Sequence, residues 1–303
     1  MRIPGQLRKT FFTIFSNFWN NTKHWYIFNG DGFDIPFLLK RCKHFNLPYS
    51  FDNVASFDIY KKVKPYRNLL GLDSLKQKSI EQFLEISRTD KYNGGQLIEV
   101  YKDYLMTHEE GLYDLLILHN EDDLKGMPSI LPILNYPDLL EHAFTLKEQQ
   151  IVDESLADGQ IRHLLKLTCQ SPYSIPVPVQ AAMPPARCRI EQDQVTFFVE
   201  LTEGTLKHFY LDYKDYYYLP FEDRAVHKSI GACVDKEARI KATASNCYTK
   251  TTGFFLPQFE AIWEPVMKQE YKDKMLYAAL GDVYLADEAA LQKYIKAILS
   301  YLK

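Results

Sequence analysis

Residues 1–30 contain no aspartate or glutamate; the first carboxylate of the chain is Asp31. That opening segment therefore offers no acidic side chain for metal binding or acid–base work. No stretch approaches the roughly 18 consecutive apolar residues of a membrane span, which sets aside a membrane-embedded class. The basic start followed by Phe11–Phe15 is broken by Ser16, Asn17, Asn20 and Asn21, and no small-residue cleavage site follows, as a secretory signal would require. Cys-x-x-Cys pairs are also absent. Cys42, Cys169, Cys188, Cys233 and Cys247 are odd in number and scattered, which argues against a zinc or disulfide framework and for reduced thiols in the cytoplasm. Charge is nearly balanced, with 36 Lys and Arg against 39 Asp and Glu. No global basic field demands a nucleic-acid partner, so any such footprint has to be local. A P-loop is excluded, because Gly-x-x-x-x-Gly-Lys-Ser/Thr occurs nowhere. His108-Glu109-Glu110-Gly111-Leu112 fails as a zinc-protease motif, since Leu112 stands where the second His belongs.

The residues that are present concentrate information in Trp25–Leu38. Trp25-Tyr26-Ile27-Phe28 is apolar and aromatic, as a buried strand is. Asn29-Gly30 and Asp31-Gly32 are turn dipeptides, Pro36 suits the first turn of a helix, and Phe37-Leu38-Leu39 carries that helix onward. Asp34 sits where a carboxylate projects from the carboxyl end of a strand, the usual place of sites in open α/β sheets. The same position also suits a simple helix N-cap. A second constellation is Leu115–Leu124, which reads as the middle of an amphipathic helix. His119 and Asp123 lie four apart and share its face, either as a surface pair or as parts of a site.

Taken together, Asn29-Gly-x-x-Phe33-Asp34-x-Pro36-Phe37-Leu38 and His119-Asn120-x-x-Asp123 resemble the second and third motifs of the DEDD exonucleases, more narrowly the YprB-type ribonuclease H-like family. The resemblance covers about residues 1–135. It implies that Asp34 and Asp123 are metal ligands, that His119 orients or deprotonates the attacking water, and that Asn29 and Gly30 lie beside the substrate strand. The implied cofactors are two Mg²⁺ or Mn²⁺ ions, hard cations that prefer carboxylate oxygens, and the implied reaction is 3′–5′ phosphodiester hydrolysis of DNA or RNA, acting on a single strand. His119 takes the place that Tyr usually has in this spacing. Asp58, within Ser56–Tyr60, matches a short Asp-containing strand of the family and is expected to be structural or to support the site.

One motif of the family is missing. Its Asp-x-Glu pair on the first strand has no counterpart here, and the three strands expected before the amphipathic helix (Phe11, Phe12, Ile14, Phe15, Phe18, Trp19) are absent. The expected fold class is therefore α/β, a partial ribonuclease H-like domain with its N-terminal strands missing and an exposed sheet edge, followed by an α+β domain. Without the Asp-x-Glu pair the expectation is negligible nuclease activity from this chain alone. The alternative is a non-catalytic nucleic-acid-binding or structural relic.

At 303 residues and 46% hydrophobic content the chain suffices for two modest cores. The expected division is residues 1–145 and 150–303. Between the motifs, Leu72–Ile86 has helical spacing with Lys76 and Gln77 on the outside, Arg88–Gly95 reads as a loop, and Leu97–Leu105 as a helix. Residues 138–160 read as helical or linking. Beyond them Leu164–Thr168, Arg187–Ile190, Val195–Leu201 and Thr205–Tyr213 read as strands, with Glu203-Gly204 turning a hairpin and residues 172–185 as a proline-rich loop. From Phe221 onward helices are expected to return. Tyr210, Tyr213 and Tyr216–Tyr218, just before the expected helices with Arg224, His227, Lys228, Lys236, Arg239, Lys241 and Lys250, are either half-buried sheet residues or a base-stacking surface, the former being favoured by their alternation.

Overall fold

The computed structural model describes residues 24–48, 50, 52, 55–87, 92, 94–283 and 285–303. The amphipathic helix expected over Phe11–Trp19 and most of the loop expected over Arg88–Gly95 lie outside the described residues. Two units divide the chain. The first holds the described residues up to Glu141 together with Tyr173–Val177; the second holds His142–Pro172 and Pro178–Lys303.

The first unit opens with a β–α–β arrangement. Strand β1 (His24–Ile27) runs parallel to β2 (Ala55–Asp58), pairing His24 with Ala55 and Ile27 with Asp58. Helix α1 (Asp34–His44) connects them and packs through Cys42, which is buried among Trp25, Ile35, Leu38 and Leu47. The remainder of the unit is helical: α2 (Ile59–Val63), α3 (Gln77–Phe83), α4 (Gly94–Thr107), α5 (Glu110–Ser129) and α6 (Asn135–Glu141). Ile59, Val63, Leu69, Ile80, Ile133 and Tyr136 are fully buried and form its apolar centre. The helix expected over Leu72–Ile86 is shorter than its spacing suggests. Ser74 Oγ bonds the Lys76 N–H (3.3 Å) and Ser79 Oγ (2.5 Å), so a side chain competes with the helix until Gln77.

The second unit is built on antiparallel sheet. Strands β3 (Thr145–Ser155), β4 (Ile161–Gln170), β5 (Val179–Met183), β6 (Ala186–Glu191) and β7 (Gln194–Glu200) form one sheet in the order β3-β4-β7-β6-β5. Leu165, Leu167, Val195, Phe197, Val199 and Cys188 alternate onto one buried face. The C-terminal helix α8 (Glu288–Leu302), packed on β5 and β6, buries Leu291, Tyr294, Ile295 and Ile298. Asp287 starts it by accepting the Ala289 and Ala290 N–H groups (2.9 and 3.3 Å). A second sheet comprises β8 (Thr202–Phe209), β12 (Tyr248–Gln258) and β13 (Leu276–Ala279), and a third β9 (Tyr216–Leu219), β10 (Arg224–His227) and β11 (Ile240–Lys241).

Four expectations for this unit are corrected. Residues 145–155 form the eleven-residue strand β3 rather than a helix or linker; as an edge strand exposed along most of its length, it lacks the alternation that would have revealed it. The proline-rich stretch 172–185 contains β5. Glu203-Gly204 lies inside β8 and turns nothing. Gly204 (φ +153°) pairs with Gly253 (φ +158°), a backbone shape open to glycine, so the residue is needed for its conformation within a strand. Finally, helices do not return at Phe221. Strands β10–β13 occupy that region, α7 (Lys228–Gly231) is a single turn, and α8 is the one long helix described there. Among the described residues no helix is long and apolar enough to cross a membrane.

Candidate functional site

The carboxyl end of β1 is shaped by one buried acid. Asp58, 5% exposed at the end of β2, accepts N–H groups from Asn29 (2.8 Å), Asp31 (3.2 Å) and Tyr60 (3.0 Å). It thereby ties the turn after β1 to the start of α2. Asn29 takes φ +56°, a left-handed conformation that asparagine tolerates. Gly30 is buried against Ile27, whose Cδ1 lies 2.8 Å from where a Cβ would stand. Its lack of a side chain is thus a packing requirement of the turn. Asp31 pairs with Lys61 at 2.6 Å, and that bond, with a further one from Ser56, holds its carboxyl below the ordinary range.

Asp34 is the first residue of α1, and the N-cap position before it is held by Phe33, which has no capping side chain. Asp34 therefore stands one residue past the N-cap position. Burial is the main cause that raises its pKa; its own backbone N–H opposes the shift, and the charge of Asp58 adds to it. The side chain lines a cleft of about 540 Å³ together with Asn29, Phe33, Tyr60, Arg67 and Lys76. Phe33 is 68% exposed at the cleft wall. Arg67 is held in place by the Leu72 carbonyl (Nε, 3.1 Å) and the Asp73 carbonyl. Lys76, at the start of α3, adds a second cation.

His119 and Asp123 meet on one face of α5, with Nε2 3.3 Å from Oδ2. Neither lines the cleft, nor does Gly30. The link between the two constellations is Gln77, which lines the cleft and donates from Nε2 to the Asp123 carbonyl (3.0 Å) and to Glu81 (2.9 Å). Gln77 is therefore not an outer-face residue of its helix. The structure thus gathers Asn29 and Asp34 in one cleft, pairs His119 with Asp123, and joins the two through a glutamine. Arg67, Lys76, Gln77 and Tyr60 escaped the sequence reading. Only Asp58 carried a signal, as an acid closing a short strand.

Two hard cations require several converging carboxylates. Among the described residues no three His, Cys, Asp or Glu side chains converge to hold a metal ion. The Asp58 carboxylate oxygens are committed to three backbone N–H groups, and residues 1–30 carry no acid at all. The described residues do not fit a two-metal site.

No curated protein and no solved structure matches the chain. Over residues 4–135, however, it matches the family model of the RNase H superfamily, and to that extent the first unit is similar to this group of nucleic-acid-directed folds.

Proposed function

We propose that the first unit is a ribonuclease H-like module, akin to the 3′–5′ exonucleases, that holds a single strand of DNA or RNA in the Asp34 cleft without hydrolysing it efficiently. The observation that carries this reading is the cleft itself: a partly desolvated Asp34 opening the helix after a parallel strand, flanked by Phe33 and Tyr60 and by the cations Arg67 and Lys76, in a segment similar to the RNase H superfamily. Aromatic faces stack bases and cations meet phosphates, which together suit a single strand. In this reading Asn29 contacts the strand, Gly30 lets the turn approach it, and His119 and Asp123 stand behind the cleft, joined to it through the bond from Gln77 to the Asp123 carbonyl. The donor set supplies Asp34 and Asp123 at most, too few carboxylates to fix two metals against a scissile phosphate, and such positioning supplies most of the rate in this chemistry.

The test follows release of nucleotides from 3′-labelled and 5′-labelled single strands, with Mg²⁺, Mn²⁺ or EDTA, beside a binding measurement on the same strands. Binding without appreciable release is expected, with Lys76→Ala weakening binding several-fold through the lost phosphate contact. Robust EDTA-sensitive release that disappears in Asp34→Asn overturns the non-hydrolytic reading. A chain extended by an N-terminal Asp-x-Glu strand is expected to gain metal-dependent 3′–5′ release, abolished by Asp123→Asn.

A further inference from the structure

One face of the five-stranded sheet packs under α8; the other carries charge. Register sets Gln150, Lys166, Phe198, Arg187 and Ala182 side by side across β3, β4, β7, β6 and β5. Partners directly opposite one another in antiparallel strands share a face. The sheet curls over this face, because Glu154 on β3 reaches Arg187 on β6, three strands away in the sheet order, through two bonds of 2.7 and 3.3 Å. The guanidinium of Arg187 in turn lies 4.7 Å over the Phe198 ring. A cavity of about 390 Å³ opens beside Gln180 and Arg189, and one of about 150 Å³ beside Arg162 and Glu200. Both use Glu154, Ala182, Arg187 and Phe198 as a common wall.

We propose that this face is a second nucleic-acid site, which takes two consecutive nucleotides of a single strand, one in each cavity, on either side of the Arg187–Phe198 stack. The bidentate Glu154 holds the Arg187 guanidinium flat, and a flat guanidinium on a ring is a platform for a base. Gln180 forms no side-chain hydrogen bond among the described residues and offers both a donor and an acceptor to a base edge. Arg189 and Arg162 are paired with Glu191 and Glu200 in solvent-exposed contacts, which hold weakly and yield to phosphate. Arg187 and Arg189 both line the larger cavity, Arg187 held by Glu154 and Arg189 by the exposed Glu191, so a phosphate entering there displaces the Arg189 surface pair. The tyrosines of residues 210–218 are committed elsewhere. Tyr210 stacks on Tyr216 (4.7 Å), and Tyr218 donates to Asp223 (2.5 Å).

The experiment uses the full chain and fluorescein-labelled oligouridylate and oligothymidylate, read by anisotropy across a salt series. Phe198→Leu, which keeps an apolar side chain of similar size, is expected to weaken binding about 10-fold through lost stacking. Arg189→Gln is expected to lower the slope of log affinity against log salt by about 0.7, one phosphate contact on a single strand. Thermal unfolding checks that both variants fold, and Arg189→Gln at the sheet surface keeps the test open should Phe198→Leu not. A 4-thiouridine strand is expected to cross-link to the peptide spanning β7. Unchanged affinity and slope in both folded variants overturns the proposal, as does cross-linking confined to residues before Glu141 or the absence of any binding by the unmodified chain. Lys76→Ala measured in parallel separates the two sites, since loss of binding there alone speaks for the Asp34 cleft and against the sheet face.

Discussion

Asp58 and Asp34 face the same turn and do opposite things to stability. Asp58 gives its oxygens to three backbone donors, and hydrogen bonds to a charged acceptor are among the stronger ones. Asp58→Ala strands those donors beneath β1 and is expected to cost about 3 kcal/mol in a urea titration. Asp58→Asn keeps one acceptor oxygen and should cost less. Asp34 instead has a pKa raised by burial, so its charged form is the disfavoured one in the folded chain. Between its ordinary value of 3.8 and the raised folded value, the native state binds more protons than the unfolded state, and stability falls as pH rises. Asp34→Asn removes that penalty. The variant is expected to be slightly more stable than the parent at neutral pH, with the difference fading as pH falls below the ordinary carboxylate range. Melting curves of both across pH 3–8 check this sign. A surface acid that lowers stability is what a functional position looks like.

At the scale of elements, close approach sets the geometry of the first unit. Gly126 lets α5 meet α3 so closely that a Cβ there would lie 2.6 Å from Gln77 Nε2 and nearer still to Glu81. Gly126→Ala forces both side chains aside and breaks the bond from Gln77 to the Asp123 carbonyl. A loss of about 1 kcal/mol is expected, along with a change in strand binding at the cleft that Gln77 lines. A second element-level device is the segment Tyr173–Val177. Tyr136 on α6 donates its hydroxyl to the Val177 carbonyl (2.8 Å) and accepts the Val177 N–H (3.1 Å), while Asn135 donates to the Ser174 carbonyl (2.8 Å). Burial pushes the Tyr136 phenol up to about 12. Tyr136→Phe leaves both Val177 groups without that partner and is expected to cost about 2 kcal/mol, read as a lowered melting temperature.

Across the whole molecule, burial is uneven. In the second unit Leu167, Cys169, Val195, Phe197, Ile295 and Ile298 are fully or almost fully enclosed, and burial raises the Cys169 thiol to about 12. In the first, β1 and β2 leave most of their side chains half-buried or exposed, and Tyr26 is 60% accessible. Local opening is cheapest where few apolar contacts hold an element. Amide exchange followed by mass spectrometry is therefore expected to be slowest in β4, β7 and α8, and much faster in β1 and β2. Comparable protection in all five would mean that β1 and β2 are held by more than the contacts described.

The sequence by itself determined the local pieces of the candidate site: the strand, the double-glycine turn, an acid opening a helix, and a His–Asp pair one helical turn apart. These follow from short-range sterics and periodicity, which a few neighbouring residues are enough to express. It also placed the strands β4, β6 and β7, whose alternating apolar residues are buried on one face. Only the tertiary structure decided which distant groups meet. That Asp58 spends its oxygens on the turn, that Arg67 and Lys76 flank Asp34, and that Gln77 bridges to α5 depend on contacts between residues tens of positions apart, which leave no periodic trace. The same holds for β3 and β5. As edge strands they have a sheet neighbour on one side only, so their residues need not alternate, and pairing with β4 and β6 makes them strands. The curl that brings Glu154 to Arg187 is likewise a property of the assembled sheet, because no strand contains it alone.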